Sequence, residues 1–243
     1  MIRSTSKIIA SLLLLLAMIT TNVMAEAKPG KKKTIRVLLV GGGASHDFDR
    51  WYKQEDVQTL QKDGLATVEY TSDPSTILGK LKDIDVLYLS NNQPIADEAT
   101  RKAIFAFVDA GKGLVLAHPA LWYNWADWPE YNQKLVGGGS KGHDKYGPFE
   151  VTIAQKHPVT KGVPEHFKLD DELYYFNPDS TGTPIEVLAT AKAENSDKVF
   201  PSIFIVKYPK GKIVGIALGH DAKSHTIDPY RTILRNAVEW ASK

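Results

Sequence analysis

Short, continuously apolar runs separated by helical patterns constrain the fold of this chain more than any other feature. The pattern predicts strands at 35–40, 67–70, 84–89 and 114–117, and helices at 49–62, 73–81 and 97–110. Most of these strands are apolar on both faces, as expected when helices cover each side of a sheet. Such alternation of strands and helices indicates a parallel sheet between two helical layers.

The second half of the chain has a different pattern. Residues 122–147 are rich in Trp, Tyr and Gly and are predicted to form a long loop near a binding site. Further strands are predicted at 149–153, 185–189, 202–206 and 213–218, followed by a last amphipathic helix at 230–241. We therefore expect one three-layer α/β domain over residues 34–243, with a mostly parallel central sheet and an added antiparallel extension.

The first 25 residues have the pattern of a signal peptide. Arg3 and Lys7 precede an apolar run at 8–19, and Ala25 ends a small-residue cleavage pattern. Twelve apolar residues are too few to span a bilayer comfortably. We expect cleavage after Ala25, a flexible leader at 26–33, no membrane span in the mature chain, and a periplasmic or secreted protein. A retained N-terminal anchor is the alternative.

Charge and cysteine content exclude several classes of function. Removal of the signal peptide leaves 28 basic and 28 acidic side chains, so electrostatics give no reason to expect nucleic acid as a partner. The chain has no cysteine, which excludes disulfides, a thiol nucleophile and thiolate metal sites. A metal would have to be held by histidine, carboxylate or water.

Histidines follow glycine-rich turns in three places, and a fourth histidine ends an apolar run. The segments are 41–47, 137–144 and 219–221, each ending in His-Asp, together with 113–118. His46, His118 and His220 fall at the carboxyl ends of predicted strands, where open α/β sheets bind their ligands. We therefore predict one shared site, with His143 joining from the long loop; four unrelated loop histidines are the alternative.

Several side chains are candidates for the chemistry of that site. His118 occupies the sharp strand-to-turn position at which related layouts present a Ser or Cys nucleophile, so it is interpreted as a base, a metal ligand or a packed core residue. Glu172 or Asp171 can bind a cation or act as a base, or simply form the charged start of a strand. His157 is interpreted as a structural turn residue.

Nucleotide cofactors are not expected. Gly41 and Gly43 follow a strand as in a dinucleotide fingerprint, but the third glycine position holds His46 and no acidic residue ends the second strand. No Walker-type phosphate loop is present either. We expect neither NAD nor flavin.

Aromatic residues are concentrated just after His118. They can stack on the apolar faces of sugars or pack as a core under the loop, and the sequence leaves both open. The set is Trp122, Tyr123, Trp125, Trp128 and Tyr131.

Taken together, these motifs resemble the trehalose-utilisation ThuA-like family within the class I glutamine-amidotransferase-like fold. The matching stretches are 42–47, 113–120, 137–144, 157–164, 171–176, 219–221 and 239–241. The resemblance implies a flavodoxin-like three-layer fold with His118 in place of the amidotransferase cysteine, and therefore no glutamine hydrolysis. It also implies sugar catabolism, often beside sugar oxidoreductases and with keto-sugar intermediates.

The leading hypothesis is an exported enzyme that acts on a glycoside or 3-keto-glycoside by metal-assisted lyase, hydrolase or isomerase chemistry. The candidate ligands of a divalent metal are His46, His118, His143, Glu172 and His220. The candidate catalytic groups are His118, Asp47, Asp171 and Asp221, although the aspartates after His46 and His220 can instead orient the imidazoles. The candidate substrate contacts are Trp122, Tyr123, Trp125 and Tyr174.

The alternatives to this enzyme are a non-catalytic carbohydrate-binding module, a partner subunit of a sugar oxidoreductase, and an unrelated hydrolase.

Overall fold

A computed structural model of the protein describes residues 33–123, 125–193 and 197–243. The predicted signal peptide and all but the last residue of the predicted leader lie outside these residues. Residues 34–243 form a single unit by their internal contacts. In the described part of the chain, no helix is both long and apolar enough to cross a membrane.

The strands alternate with helices at first and then follow one another directly. They are β1 (Ile35–Val40), β2 (Ala66–Thr71), β3 (Val86–Leu89), β4 (Gly113–Ala117), β5 (Gly138–His143), β6 (Gly147–Ile153), β7 (His166–Asp171), β8 (Tyr174–Pro178), β9 (Ile185–Ala193), β10 (Val199–Val206) and β11 (Lys212–Ile216).

The helices surround this framework, and several are extended by turns of a different pitch. The α-helices are α1 (Phe48–Arg50), α2 (Val57–Gln61), α3 (Ile77–Lys80), α4 (Glu98–Asp109), α5 (Ala222–Thr226) and α6 (Asp228–Ala241). Two π-helical turns span Trp51–Asp56 and Tyr131–Val136. Short 3₁₀ turns lie at Lys62–Gly64, Pro74–Thr76, Leu81–Asp83, His118–Leu121 and Pro158–Thr160.

The central sheet is parallel in one half and antiparallel in the other. Its order is β2-β1-β3-β4-β11-β10-β9-β6-β7, and β5 pairs with β8 in a separate ribbon. Pairing is parallel from β2 through β11 and antiparallel from β11 through β7. The predicted fold class, a mostly parallel sheet between helices with an antiparallel extension, is confirmed.

Both faces of the inner parallel strands are buried, which explains their largely apolar sequences. Successive residues of a strand point to opposite faces, and in β1 Val37 and Leu39 join one core cluster whereas Leu38 and Val40 join the other. A sequence that must be apolar on both faces loses the alternation seen in half-exposed strands.

The region 122–147 differs most from its prediction as one long loop. It contains the π-helical turn at Tyr131–Val136 and strand β5, whose glycines lack the β-branched side chains typical of strands. Strand β7 was also not predicted, because charged residues occupy half of its positions. Helix α5 is too short to show a helical period.

The edge strand β7 ends close to the segment that follows the central strand β11. Four pairing steps separate these strands, a distance of about 19 Å in a flat sheet. Nevertheless, the Gly219 N–H donates a hydrogen bond of 2.8 Å to the carboxylate of Asp171, the last residue of β7. The antiparallel half therefore curls back, and it carries the adjacent Glu172 toward the ends of the parallel strands.

Candidate functional site

The turn after β1 directs His46 across the end of the sheet. Gly43 has φ +130°, and a Cβ there would lie 1.7 Å from the side-chain oxygen of Asn92. The Asn92 amide clamps Ala44 by accepting from its N–H at 2.8 Å and donating to its carbonyl at 2.9 Å. That same carbonyl lies 3.0 Å from His46 Nδ1. The glycine turn therefore fixes both the position and the tautomer of His46, since Nδ1 must carry the hydrogen.

His118 is positioned by the parallel pairing of β4 with β11. Ala117 is opposite Ile216 in the register, so His118 and Ala217 both follow the last paired residues. His118 Nδ1 lies 2.9 Å from the Ala217 carbonyl and must donate to it, which leaves a lone pair on Nε2. The ring is completely buried and stacks on Tyr174, with 3.7 Å between the ring centroids.

His220 follows a glycine that no other residue can replace without strain. Gly219 has φ +110°, and a Cβ would meet the Tyr230 hydroxyl at 3.0 Å. The N–H groups of Gly219 and His220 both donate to Asp171, at 2.8 and 3.0 Å. The turn is thus tied to the end of β7.

The three imidazoles converge at the carboxyl ends of the parallel strands. Ring centroids are separated by 5.5 Å for His46 and His118, 4.5 Å for His46 and His220, and 5.6 Å for His118 and His220. One ring nitrogen from each lies within 4.8 Å of the others. Sheet order reverses between β1 and β3, so the cluster lies beside a topological switch point.

Three buried nitrogens in this cluster make no hydrogen bond of acceptable geometry among the described residues, and the Glu172 carboxylate lies beside two of them. They are Nε2 of His46, Nε2 of His118 and Nδ1 of His220. Buried polar atoms nearly always form a hydrogen bond, so three neighbouring nitrogens without one require an explanation. Neutral imidazole nitrogens of this kind are the commonest metal ligands in proteins, and the donor set fits a divalent cation of borderline softness.

Glu172 is the carboxylate beside this cluster. Its Oε2 lies 3.1 Å from His220 Nδ1 and 3.6 Å from His118 Nε2, and its Oε1 lies 3.6 Å from His143 Nδ1. Burial acts to raise the pKa of Glu172, but the contacts with His118 and His220 outweigh it and hold the pKa well below its usual range. Glu172 is therefore an anion that can complete a cation site.

The histidine pKa values differ according to their neighbours. Burial, reinforced by the nearby His118, lowers the pKa of His46 to about 3. Burial also acts to lower the pKa of His220, but the contact with Glu172 reverses this effect and raises the pKa above its ordinary value. His46 is thus held neutral and available as a ligand over the physiological range.

His143 lies outside the three-histidine cluster, on its exposed side. Its Nδ1 donates to the Asp144 carbonyl at 2.7 Å, and its side chain is 36% exposed. Trp122 and Tyr174 flank it, with ring centroids at 5.7 and 6.1 Å. Trp122 and His143 therefore form one wall of an approach to the cluster.

The candidate aspartates are all engaged with the backbone. Asp47 caps α1 by accepting from the Arg50 N–H at 3.1 Å, and Asp221 caps α5 by accepting from the Lys223 N–H at 3.2 Å. Asp171 is fully buried and accepts a third N–H, that of Glu172, at 2.8 Å. The described contacts assign these carboxylates to holding the chain beside the histidines.

The aromatic candidates divide between the site and the core. Trp122 packs against Tyr174, with 5.3 Å between ring centroids. Trp125 is only 2% exposed and lies among Trp128 and Tyr131 in a core cluster. The half-buried ring of Tyr123 packs against Gly139, under the Lys141 ammonium.

Tyr146 borders the site but was not a candidate from the sequence. Its hydroxyl donates to the carboxylate of Asp221 at 2.7 Å, and its ring lies 6.1 Å from that of His220. Burial, followed by the hydrogen bond to Asp221, raises its pKa. The only sequence signal is its place at the end of the aromatic loop.

A cavity of about 1200 Å³ lies away from the histidines, near the opposite end of the parallel strands, and contains none of the candidate site residues. Its lining includes His157 and Trp240, near the C-terminal end of α6. That end of α6 packs on Gly113, at the start of β4, whereas His118 follows the end of β4. His157 accepts from the Val159 N–H at 3.2 Å and caps a 3₁₀ turn, which confirms its predicted structural role.

Comparison with known proteins agrees with this fold and identifies the family. The fold is that of the glutamine-amidotransferase-like proteins, since the chain is similar in structure to a glutamine amidotransferase from Thermotoga maritima at 13% identity. That match covers 87% of this chain and 99% of the other, with a TM-score of 0.53. Residues 36–241 match the ThuA family, described as trehalose utilisation, and the chain belongs to that family.

Two solved structures of ThuA-like proteins have the same fold. One, from Parabacteroides merdae, has 22% identity and a TM-score of 0.77, and the match covers 87% of this chain and 91% of that one. The other, from Bacteroides uniformis, has 22% identity and a TM-score of 0.72, with 89% and 94% covered. No curated protein matches the chain. The family assigns the protein a carbohydrate-related role.

Proposed function

We propose that this protein is an exported enzyme that acts on a glycoside, with a 3-keto-glycoside as the substrate class and a divalent metal ion in the site. The observation that carries the proposal is the set of three buried imidazole nitrogens at the strand ends that make no hydrogen bond among the described residues and have the Glu172 carboxylate beside them. The trehalose-utilisation family supports the sugar, and the signal-like N-terminal segment supports export.

The residues that would hold the cation are His46, His118 and His220, with Glu172 beside them. Bound there, a divalent cation would supply a Lewis acid that polarises a carbonyl oxygen of the substrate. The backbone carbonyls of Ala44 and Ala217 fix the tautomers of His46 and His118, so that Nε2 of each is the free donor.

His143 is the base in this proposal. Its Nδ1–H donates a hydrogen bond to the Asp144 carbonyl, so the lone pair lies on Nε2 of an exposed ring. In a 3-keto-glycoside, His143 takes the proton at C2, the electron pair forms a C1=C2 double bond, and the C1–O bond breaks. Glu172 Oε1, 3.6 Å from His143 Nδ1, stabilises the imidazolium while it exists. The imidazolium then returns its proton to the departing oxygen, so that the base is regenerated and the products are the enone and the free hydroxyl compound.

Trp122 provides the surface that binds the sugar. Its half-buried ring stands beside His143 and Tyr174, so a pyranose stacked on it would lie next to the base. This position also supports the second candidate, a carbohydrate-binding module without turnover, because stacking alone needs no base.

The test uses the 4-nitrophenyl 3-keto-glucoside, whose cleavage releases coloured nitrophenol. The mature chain is assayed after chelation and after reconstitution with Zn²⁺, Mn²⁺ or Co²⁺, with the unoxidised glucoside as the substrate control. We expect release only from the ketone and only with metal. His143→Gln should retain the metal and lose turnover. His166→Gln, at an exposed histidine on β7, should leave both unchanged.

A folded, metal-loaded protein that leaves the ketone unchanged would refute the proposal. If sugar binding then survives His118→Ala and His220→Ala, the carbohydrate-binding module is the correct function.

A further inference from the structure

We infer that Tyr52 and His225 are positioning residues for His220, one of the proposed metal ligands. Asp56 holds His225 in the form that this role requires. The inference rests on the proposed function, because it concerns how the ligand set is prepared for a cation.

Gly219, the residue before His220, is held at both its carbonyl and its N–H. The Gly219 carbonyl accepts the Tyr52 hydroxyl at 2.5 Å and His225 Nε2–H at 3.0 Å. The Gly219 N–H donates to Asp171 at 2.8 Å. Three buried partners therefore fix the conformation of this one glycine, and with it the direction in which the chain enters His220.

His225 can play this part only if it carries a hydrogen on both ring nitrogens. Its Nδ1 lies 2.7 Å from Asp56 Oδ1, and its Nε2 faces the Gly219 carbonyl, so both partners are acceptors. The side chains of His225 and Asp56 are completely buried. The ion pair satisfies itself inside the core, next to the ligand cluster but not part of it.

The remaining oxygen of Asp56 is also satisfied. It accepts the hydroxyls of Tyr88 at 2.7 Å and Tyr230 at 3.2 Å. All members of this network, which we call the Asp56 network, are buried; they are Tyr52, Asp56, Tyr88, His225 and Tyr230.

Stability alone does not account for such a network. Apolar residues of similar volume are often at least as stabilising as a buried ion pair. A second observation points in the same direction, because Tyr52 and Asp56 lie in the π-helical turn Trp51–Asp56. Such turns are rare, and they occur frequently at functional sites. The helix is therefore π-helical, and not α-helical, in the turn that supplies the Tyr52 hydroxyl to Gly219 and the Asp56 carboxylate to His225.

The experiment compares two buried phenols of the same network. Tyr52→Phe removes a donor to Gly219, whereas Tyr88→Phe removes a donor to Asp56 and leaves both Gly219 donors in place. Co²⁺ affinity is measured by titration of the absorption spectrum. Loss of an outer partner typically weakens metal binding 10–100-fold, so we expect at least a tenfold loss for Tyr52→Phe and less than threefold for Tyr88→Phe.

Amide hydrogen exchange of Gly219 and His220 in the metal-free protein is the second readout. It should accelerate in Tyr52→Phe and stay unchanged in Tyr88→Phe. Equal Co²⁺ affinities and equal exchange in the two variants would overturn the inference. If Tyr52→Phe does not fold, His225→Gln takes its place against the same control.

If wild-type protein binds no Co²⁺, the proposed function fails, and the exchange measurement alone decides whether Tyr52 and His225 position His220. If Co²⁺ binds but the two phenol variants behave alike, the proposed function stands and the positioning role fails.

Discussion

Two polar groups meet at Gly219 and His220, the three-histidine cluster and the Asp56 network with its single histidine, and they are built in opposite ways. In the cluster of His46, His118 and His220, three buried nitrogens make no hydrogen bond among the described residues, although Glu172 lies beside two of them. In the Asp56 network, both nitrogens of His225 are hydrogen-bonded, as are both oxygens of Asp56. Because unsatisfied buried groups cost free energy, the first group fits a role in binding and the second a role in support.

The net pKa shift of a buried histidine has opposite directions in the two groups, although burial acts to lower the pKa in both. Burial lowers the pKa of His46 to about 3. Burial also opposes the charge on His225, but Asp56 overcomes this effect and raises the pKa above the ordinary 6.5. Accessibility alone therefore does not show whether a buried histidine is ligand-ready or structural; the partner of each nitrogen does.

The largest effect on stability should come from breaking the Asp56 network. Asp56→Ala leaves His225 buried without its counter-ion, and we expect the free energy of unfolding to fall by about 3–5 kcal/mol. Urea denaturation of the metal-free protein measures this loss. A fall below 1 kcal/mol would show that the network does not support the core.

A change in the three-histidine cluster should instead affect binding. His118→Ala removes a proposed ligand whose Nε2 makes no hydrogen bond among the described residues. We expect Co²⁺ affinity to fall more than about 100-fold, which exceeds the loss expected when only a residue that positions a ligand is removed. The loss of stability should be smaller than for Asp56→Ala. Isothermal titration and urea denaturation of the same sample make the comparison, and the reverse order would contradict it.

The pH dependence of stability separates the two groups further. Because the folded-state pKa of His225 is raised, its contribution is complete below about 6.5 and is lost as pH rises through the folded-state value. The neighbouring Tyr52 and Tyr230 have pKa values raised well above the ordinary 10 by burial and stay neutral there.

With chelator present, the free energy of unfolding between pH 6 and 9 should therefore fall more in wild type than in His225→Gln. The additional fall is at most about 1.4 kcal/mol per pH unit. Parallel pH profiles would mean that His225 does not carry the proposed charge.

The smallest expected effect concerns the helix cap that follows His46. Asp47→Ala should cost about 1 kcal/mol of stability, as loss of a cap does. Asp97→Ala removes the cap of α4, which is not at the site, and is the matched control. Only Asp47→Ala should weaken Co²⁺ binding, by a few-fold. Equal Co²⁺ affinities of Asp47→Ala and Asp97→Ala would show that Asp47 does not help to position His46.

Much of the fold could be predicted because burial on both faces leaves a clear signal. Strands β3 and β4 are continuous apolar runs, β1 is apolar except for Arg36, and α4 and α6 are amphipathic over three turns or more. Strand β5 gave no such signal, because Gly138 and Gly139 are selected for close approach to neighbours and not for strand propensity.

The site was predictable only in part, for a related reason. Strand ends indicate where His46, His118 and His220 lie, since parallel strands present their carboxyl ends at one edge. The sequence does not tell Trp122, beside the site, from Trp125, in the core, since both lie in one aromatic run. It also does not reveal the pairing of Asp56 with His225, 169 residues apart, since this depends on tertiary packing.

The curled antiparallel half has a consequence for the order of folding. Glu172 reaches the histidines only after β7 has returned to the segment behind β11, which is a contact of long sequence separation. Contacts of this kind form slowly, because the intervening chain must be ordered first. In a refolding experiment, tryptophan burial should therefore precede the Co²⁺ spectrum, and the metal would report the last stage of assembly.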